Sequence, residues 1–133
     1  MPNKWIPVAA TVLLAGCATT PVQDRATPET VTFEETACFG SCPIFSFTLK
    51  ADGSGTFTGT RFVAAKGEHP FKATPEQVKA FLARIEAFRP EGVVEYGYDN
   101  CSVSVRTDSP SVRVTWQNDG GADALSWYLG CAE

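Results

Sequence analysis

A single helical stretch stands among segments with the two-residue periodicity of β-strands, and this arrangement constrains the fold more than any other feature. Apolar residues recur at the spacing of one helix face between about residues 74 and 88, at Val78, Phe81, Leu82, Ile85 and Phe88. Thr74 can cap this helix, Pro75 suits its first position, and Gln77 stands where a capping box needs it. We expect the apolar stripe to pack against a sheet, because the sequence offers no second helix.

Strand periodicity is found on both sides of this helix. It marks segments 30–36, 44–50, 54–63, 101–106, 111–117 and a last strand from Leu125 to Cys131. Asp52-Gly53 predicts a type I′ hairpin turn, and a break in alternation between Phe57 and Phe62 indicates a bulge near Gly59. The sequence therefore predicts an α+β domain with a mainly antiparallel sheet and one helix on one face.

The amino-terminal stretch has the layout of an export signal. Lys4 precedes an apolar run from Ile6 to Ala15, about half the length that a membrane-spanning helix needs. The following Leu14-Ala15-Gly16-Cys17 resembles the lipobox of bacterial lipoproteins. We expect residues 1–16 to be removed and Cys17 to carry lipid, the alternatives being an ordinary cleaved signal or an uncleaved apolar anchor.

Residues 17–28 read as the lipidated cysteine and a flexible tether, since Val22 is their only large apolar residue. The tether spans roughly 18 Å as a flexible chain, which holds the domain of residues 29–133 close to the membrane. Ala18 follows the lipidated position where the sorting rule of enteric bacteria would need Asp for inner-membrane retention. We therefore expect an outer-membrane anchor with the domain facing the periplasm.

The four remaining cysteines, Cys38, Cys42, Cys101 and Cys131, are an even number in a compartment that oxidises thiols. Three pairings are possible. Cys38 and Cys42 flank a Phe-Gly-Ser bend, and Cys101 and Cys131 share the inward parity of their strands. Proximity and parity therefore favour disulfides Cys38–Cys42 and Cys101–Cys131.

A family resemblance is carried by Ala37-Cys38-Phe39-Gly40-Ser41-Cys42-Pro43-Ile44-Phe45 and the Asp52-Gly53 turn that follows. This stretch resembles the signature of the bacterial domain-of-unknown-function 6438 family, which has a Cys-Phe-Gly-x-Cys-Pro-x-aromatic opening before a hairpin. Thr107-Asp108-Ser109-Pro110 and Gly130-Cys131 resemble later elements of that family. The resemblance implies a small exported domain, and it carries over no catalytic residues.

Other chemistries have weaker support. A redox role for Cys38 and Cys42 is the alternative function, but three residues separate them and the chain continues from Pro43 into a strand, where thiol catalysts have a helix N-terminus. Paired zinc knuckles are absent, so we expect no metal. The single histidine, His69, lies in a predicted surface loop, and no nucleophile motif accompanies it.

The net charge of the protein limits the classes of partner that it can bind. The chain has a net charge of −4, and because Lys4 is the only charged residue of the signal, the mature protein carries −5. This excludes the basic surface that nucleic acids require. Trp116 has the inward parity of the core, whereas Tyr128 is the better candidate for an aromatic surface that binds glycan or peptide. The sequence thus predicts a monomeric, non-catalytic binding or structural domain without cofactor, held at the membrane by lipid and open to an envelope protein or glycan.

Overall fold

The computed structural model describes residues 27–101 and 104–132, in which one α-helix lies across a seven-stranded sheet and a short 3-10 helix spans Tyr98–Asn100. The strands are β1 (Thr30–Glu35), β2 (Ile44–Lys50), β3 (Ser54–Arg61), β4 (Gly67–Lys72), β5 (Val93–Tyr96), β6 (Ser104–Val105), β7 (Ser111–Asn118), β8 (Gly121–Tyr128) and β9 (Cys131–Ala132), and helix α1 is Pro75–Glu86. The sheet order is β4-β3-β2-β1-β7-β8-β5, with β6 and β9 forming a separate ladder. Among the strands that the structure describes, only the β5–β8 pair is parallel, so the predicted α+β class with a mainly antiparallel sheet is confirmed.

One face of the sheet carries the core. The register aligns Leu49, Val31 and Trp116 across three neighbouring strands, and their side chains are 6%, 1% and 0% exposed. The core position predicted for Trp116 is therefore confirmed. Nearer the other end of the same face, phenylalanine rings of β1, β2 and β3 stack with centroids 5.4 to 5.8 Å apart. This ladder adds aromatic contacts to the apolar area that the sheet buries.

The opposite face of the sheet is polar, because the alternate residues of its strands are mainly hydroxyl-bearing or charged. Four threonines stand opposite one another in a single row: Thr56, Thr48, Thr32 and Thr115. Their side chains are only partly exposed, since neighbouring strands lie about 4.8 Å apart and each side chain covers the next.

Helix α1 begins as the sequence predicts. The Thr74 hydroxyl accepts the Gln77 N–H at 3.3 Å, and the Gln77 side chain accepts the Thr74 N–H at 2.8 Å, which forms a capping box. Val78 is buried, and the edge of the Phe81 ring contacts Phe47 of β2 with centroids 5.8 Å apart. The helix thus covers the same sheet face as the aligned core row.

A buried ion pair fixes the chain after the helix. The Arg89 side chain is 3% exposed, and its Nε donates to Asp123 Oδ2 of β8 at 2.7 Å. The other carboxylate oxygen of Asp123 accepts the Gly92 N–H at 2.8 Å. Because α1 starts beside β4 at one edge and Arg89 reaches β8, the segment crosses the sheet and delivers β5 to the opposite edge.

Two strands occur where the sequence predicts loops. β4 includes His69, predicted to lie in a surface loop, and β5 (Val93–Tyr96) lies between the predicted helix and the predicted strand 101–106, where the sequence pattern marks no strand. β4 is exposed along its whole length and contains Pro70, which an edge strand tolerates. Neither strand has the apolar alternation that makes a strand visible in a sequence, because both are sheet edges.

The β2–β3 hairpin confirms one expectation and corrects another. Ile44 pairs with Arg61 and Phe45 with Gly59, so Thr60 is the extra residue of the predicted bulge. The turn is not type I′. Gly53 donates to the Lys50 carbonyl at 2.9 Å and has a φ of 85°, whereas no positive φ occurs at the preceding aspartate. The turn is instead a type I turn followed by a left-handed glycine.

The sheet has two distinct ends. The described chain enters at Thr27–Glu29, beside the β2–β3 turn and the β7–β8 turn, and we call this the entry end. The other end, which we call the distal end, gathers the segments 36–43, 62–66, 97–101, 104–110 and 129–130. No helix within residues 27–101 and 104–132 is long and apolar enough to cross a membrane.

Candidate binding site at the distal end of the sheet

A disulfide ring projects from the distal end. Cys38 and Cys42 are bonded with Cα atoms 5.7 Å apart, as the sequence predicts. The Phe39 N–H donates to the Asp108 carbonyl at 3.2 Å, and the Gly40 N–H donates to the Cys38 carbonyl at 3.0 Å. Phe39 is nevertheless 88% exposed, more than any other large apolar side chain in the described residues. The ring therefore holds an aromatic side chain in solvent on a restrained backbone.

Two strained backbone positions lie at the same end of the sheet as this ring. Within the described ranges, the non-glycine residues with positive φ are Phe62 at 54° and Asp108 at 63°, and both lie at the distal end. Such values are uncommon for residues with a Cβ atom and are a genuine outlier for a bulky residue such as phenylalanine. Phe62 is 47% exposed, with the Arg61 guanidinium carbon 5.0 Å from its ring centroid. Strain of this kind tends to cluster at functional sites.

An open cleft of about 530 Å³ lies beside the ring, across the distal ends of the central strands. Its lining includes Glu34, Ser46, Glu95, Arg113, Ser126 and Trp127. Arg113 lies directly opposite Glu34 on β1, and its Nη1 donates to Ser126 Oγ at 3.3 Å. One guanidinium, several carboxylates and several hydroxyls can hydrogen-bond a polar ligand that has both donors and acceptors, such as a glycan or a peptide backbone.

The second disulfide also lies at the distal end of the sheet. Cys101 and Cys131 are bonded with Cα atoms 5.6 Å apart, which confirms the other predicted pair. The route to this pairing differs from the prediction, because Cys101 precedes the short strand β6 while Cys131 lies in β9 opposite Val105. Tyr128 binds the segment between them: its hydroxyl donates to the Arg106 carbonyl at 2.8 Å and accepts the Ser109 N–H at 3.1 Å.

The structure places the aromatic candidate residues in different environments. Trp116 is in the core, and Tyr128 is half-buried with its hydroxyl occupied by backbone groups, so it does not form the open platform that its parity suggests. Trp127 instead packs against Tyr96 with ring centroids 4.8 Å apart. The exposed aromatic side chains of the segments at the distal end are Phe39, Phe62 and Tyr98, and Tyr96 at the end of β5 is exposed beside them.

The other candidate residues do not lie together in one catalytic or metal site among the described residues. His69 is exposed on β4, and its Nε2 lies 2.9 Å from the Lys66 carbonyl. Helix α1 starts at the entry end, far from the Cys38–Cys42 disulfide at the distal end, so this pair lacks the adjacent helix N-terminus that thiol catalysts have. No group of three or more His, Cys, Asp or Glu side chains that could hold a metal occurs in the part of the chain that the structure describes. Cys17 lies outside the described residues.

Sequence reasoning missed two features of this region. Arg113 has the outward parity that the pattern assigns to it, but the cleft around it is made by loops that no local pattern predicts. Asn100 looks unremarkable beside Cys101, yet its side-chain amide bonds both the Glu95 carbonyl at 2.8 Å and the Gly97 N–H at 2.5 Å. The positions of these groups in the fold reveal the contact, and the sequence does not.

Comparison with known proteins gives a family without an assigned activity. No curated protein and no solved structure matches the chain significantly. One family model, described as a domain of unknown function (DUF6438), matches residues 29–132, which include the disulfide ring, the whole sheet and the helix. The chain therefore belongs to the DUF6438 family.

Proposed function

We propose that this protein is an envelope lipoprotein, anchored through Cys17 in the outer membrane and facing the periplasm, whose domain is a non-catalytic binding module. The lipobox and the polar tether support the anchor. The fold supports an orientation of the domain with its entry end toward the membrane. β1 begins at the entry end, next to the tether, and runs about 20 Å toward the distal end. The distal end is then the part of the domain that points away from the membrane.

The observation that carries the proposal is the state of Phe39. Leaving a phenylalanine ring 88% exposed forgoes about 2 kcal/mol of burial. A disulfide and a hydrogen bond to Asp108 restrain the backbone beneath this ring. Restraint of an exposed aromatic group lowers the entropy lost on association, and aromatic anchors dominate many interfaces. The Cys38–Cys42 ring thus acts as a structural support for a contact residue.

Photo-cross-linking in the native cell tests this proposal. A benzoylphenylalanine placed at Phe39 is expected to give a discrete cross-linked product in the envelope. The matched control position is Phe88, which is 69% exposed but follows the helix away from the distal ring. Products at position 39 and none at position 88 support the binding surface. Identical patterns at both positions contradict it.

A further inference from the structure

Strand β5 is an edge of the sheet, with one neighbour, β8. The Gly92 carbonyl accepts the Ala124 N–H at 2.9 Å, so the backbone groups of even-numbered residues face β8. Those of Val93, Glu95 and Gly97 consequently face outward. Val93 is 69% exposed and Tyr96 is 42% exposed. This edge has the backbone directions and apolar side chains that an additional strand would use.

The Asn100 side chain occupies part of this edge. Its Nδ2 donates to the Glu95 carbonyl at 2.8 Å, and its Oδ1 accepts the Gly97 N–H at 2.5 Å. In a parallel pair, one residue of the neighbouring strand donates to the carbonyl of residue i−1 and accepts the N–H of residue i+1. The Asn100 amide therefore makes the two hydrogen bonds that a residue of an added parallel strand would make level with Tyr96.

A disulfide restrains the backbone next to this side chain. Cys101, the next residue, is bonded to Cys131, which follows β8 after a two-residue connection. The disulfide ties the segment that carries Asn100 to the residues that follow β8, the strand that pairs with β5. The edge is thus closed by one polar side chain on an anchored loop, whereas proline or charged residues close most protected edges.

We propose that the outer edge of β5 is a strand-addition site for an extended peptide running parallel to β5, and that Asn100 fills this site in the free protein. The pattern of its two hydrogen bonds sets the parallel direction. A peptide residue level with Tyr96 would lie on the same face as the Tyr96–Trp127 pair, which favours an apolar side chain there. The residue before it would lie beside Glu95, which favours lysine or arginine. The site is separate from the Phe39 ring, and neither proposal depends on the other.

Binding of a synthetic peptide tests the site. The probe has the sequence of residues 121–128 with Ser126→Lys, because β8 already pairs in parallel with β5 and places Trp127 level with Tyr96 and residue 126 level with Glu95. Fluorescence anisotropy compares the wild-type protein with Asn100→Ala. Since the variant no longer competes for two hydrogen bonds, we expect it to bind the probe about tenfold more tightly or better. Equal affinity overturns the proposal.

Two controls separate strand addition from other effects. Asn118→Ala removes an asparagine that accepts the Gly120 N–H at 3.0 Å in the β7–β8 turn, and this variant should bind like the wild type. A probe N-methylated at the residue level with Tyr96 lacks the N–H for the Glu95 carbonyl and should lose binding. Undiminished binding of the methylated probe also overturns the proposal.

Amide spectra of the wild-type protein keep the test independent of how Asn100→Ala folds. Saturating probe should shift the amide signals of Val93, Glu95 and Gly97 more than those of β4, the other edge of the sheet. Shifts confined to β4, or no shift on the β5 edge, contradict the assignment.

Discussion

Replacing Asp123 by alanine should destabilise this domain more than any change at an exposed carboxylate. The carboxylate bonds Arg89 Nε at 2.7 Å and the Gly92 N–H at 2.8 Å, and the Arg89 side chain is 3% exposed. Truncation removes both bonds and leaves the guanidinium buried. Breaking a buried ion pair costs about 3–5 kcal/mol. Glu86, 3.5 Å from Arg89 Nη1 and 41% exposed, retains part of the stabilisation, so we expect a loss of about 3 kcal/mol.

Urea denaturation measures this loss. With a denaturant slope of about 1.5 kcal/mol per molar for a domain of this size, the midpoint should fall by about 2 M. The matched control is Asp119→Ala, in the exposed β7–β8 turn, which should change the free energy of unfolding by less than about 0.5 kcal/mol.

A double variant measures how much of the stability loss comes from the buried Arg89 guanidinium. Adding Arg89→Met to Asp123→Ala removes the guanidinium whose partner was deleted, so about 1 kcal/mol or more should be recovered. A loss below about 1 kcal/mol for Asp123→Ala alone, or no recovery in the double variant, would refute the reasoning that this pair fixes the chain between α1 and β5.

Three further predictions concern local structure. Replacing Cys38 and Cys42 together by serine should lower the free energy of unfolding by about 2 kcal/mol in urea titrations, without loss of any insulin-reductase activity; a loss of such activity would assign the pair a redox role. Thr74→Ala should cost about 1 kcal/mol because the helix loses its cap, whereas Thr74→Ser should be nearly neutral. Hydrogen bonds from the Ser54 hydroxyl and N–H lower the pKa of Asp52 below its ordinary value, so this carboxylate's contribution to stability is present above the unfolded pKa and is lost as the pH falls through the folded pKa. Carbon NMR titration should show that low midpoint, and Ser54→Ala should raise it; an unmoved midpoint contradicts the cause.

The elements that could be predicted from the sequence are those whose signals are local. The cap at Thr74 and the stripe that follows it specify α1 within a few residues, since both act within one or two turns of helix. The alternation in β1, β2 and β7 is visible because one face of each strand is buried. β4 and β5 escape prediction since their side chains are mostly exposed and show no apolar alternation. β4 is held by pairing with β3, the strand before it, and β5 by pairing with β8, which is distant in sequence.

The features of the candidate site also differ in whether a local sequence signal predicts them. The Cys38–Cys42 bond follows from proximity along the chain, and the Cys101–Cys131 bond was predicted from a strand parity that holds only in part, because Cys101 lies before β6. The exposure of Phe39 depends on the distal loops, and the closure of the β5 edge depends on the position of Asn100. Neither is a local property, so neither is readable from spacing or composition.

The most direct test of this account is mass spectrometry of the protein purified from its native membranes without reduction. The account predicts a chain that begins at Cys17 with an acyl-modified amino terminus, together with proteolytic fragments linked through Cys38–Cys42 and Cys101–Cys131. An unacylated chain that retains residues 1–16, or four cysteines that are all free to be alkylated, would contradict it.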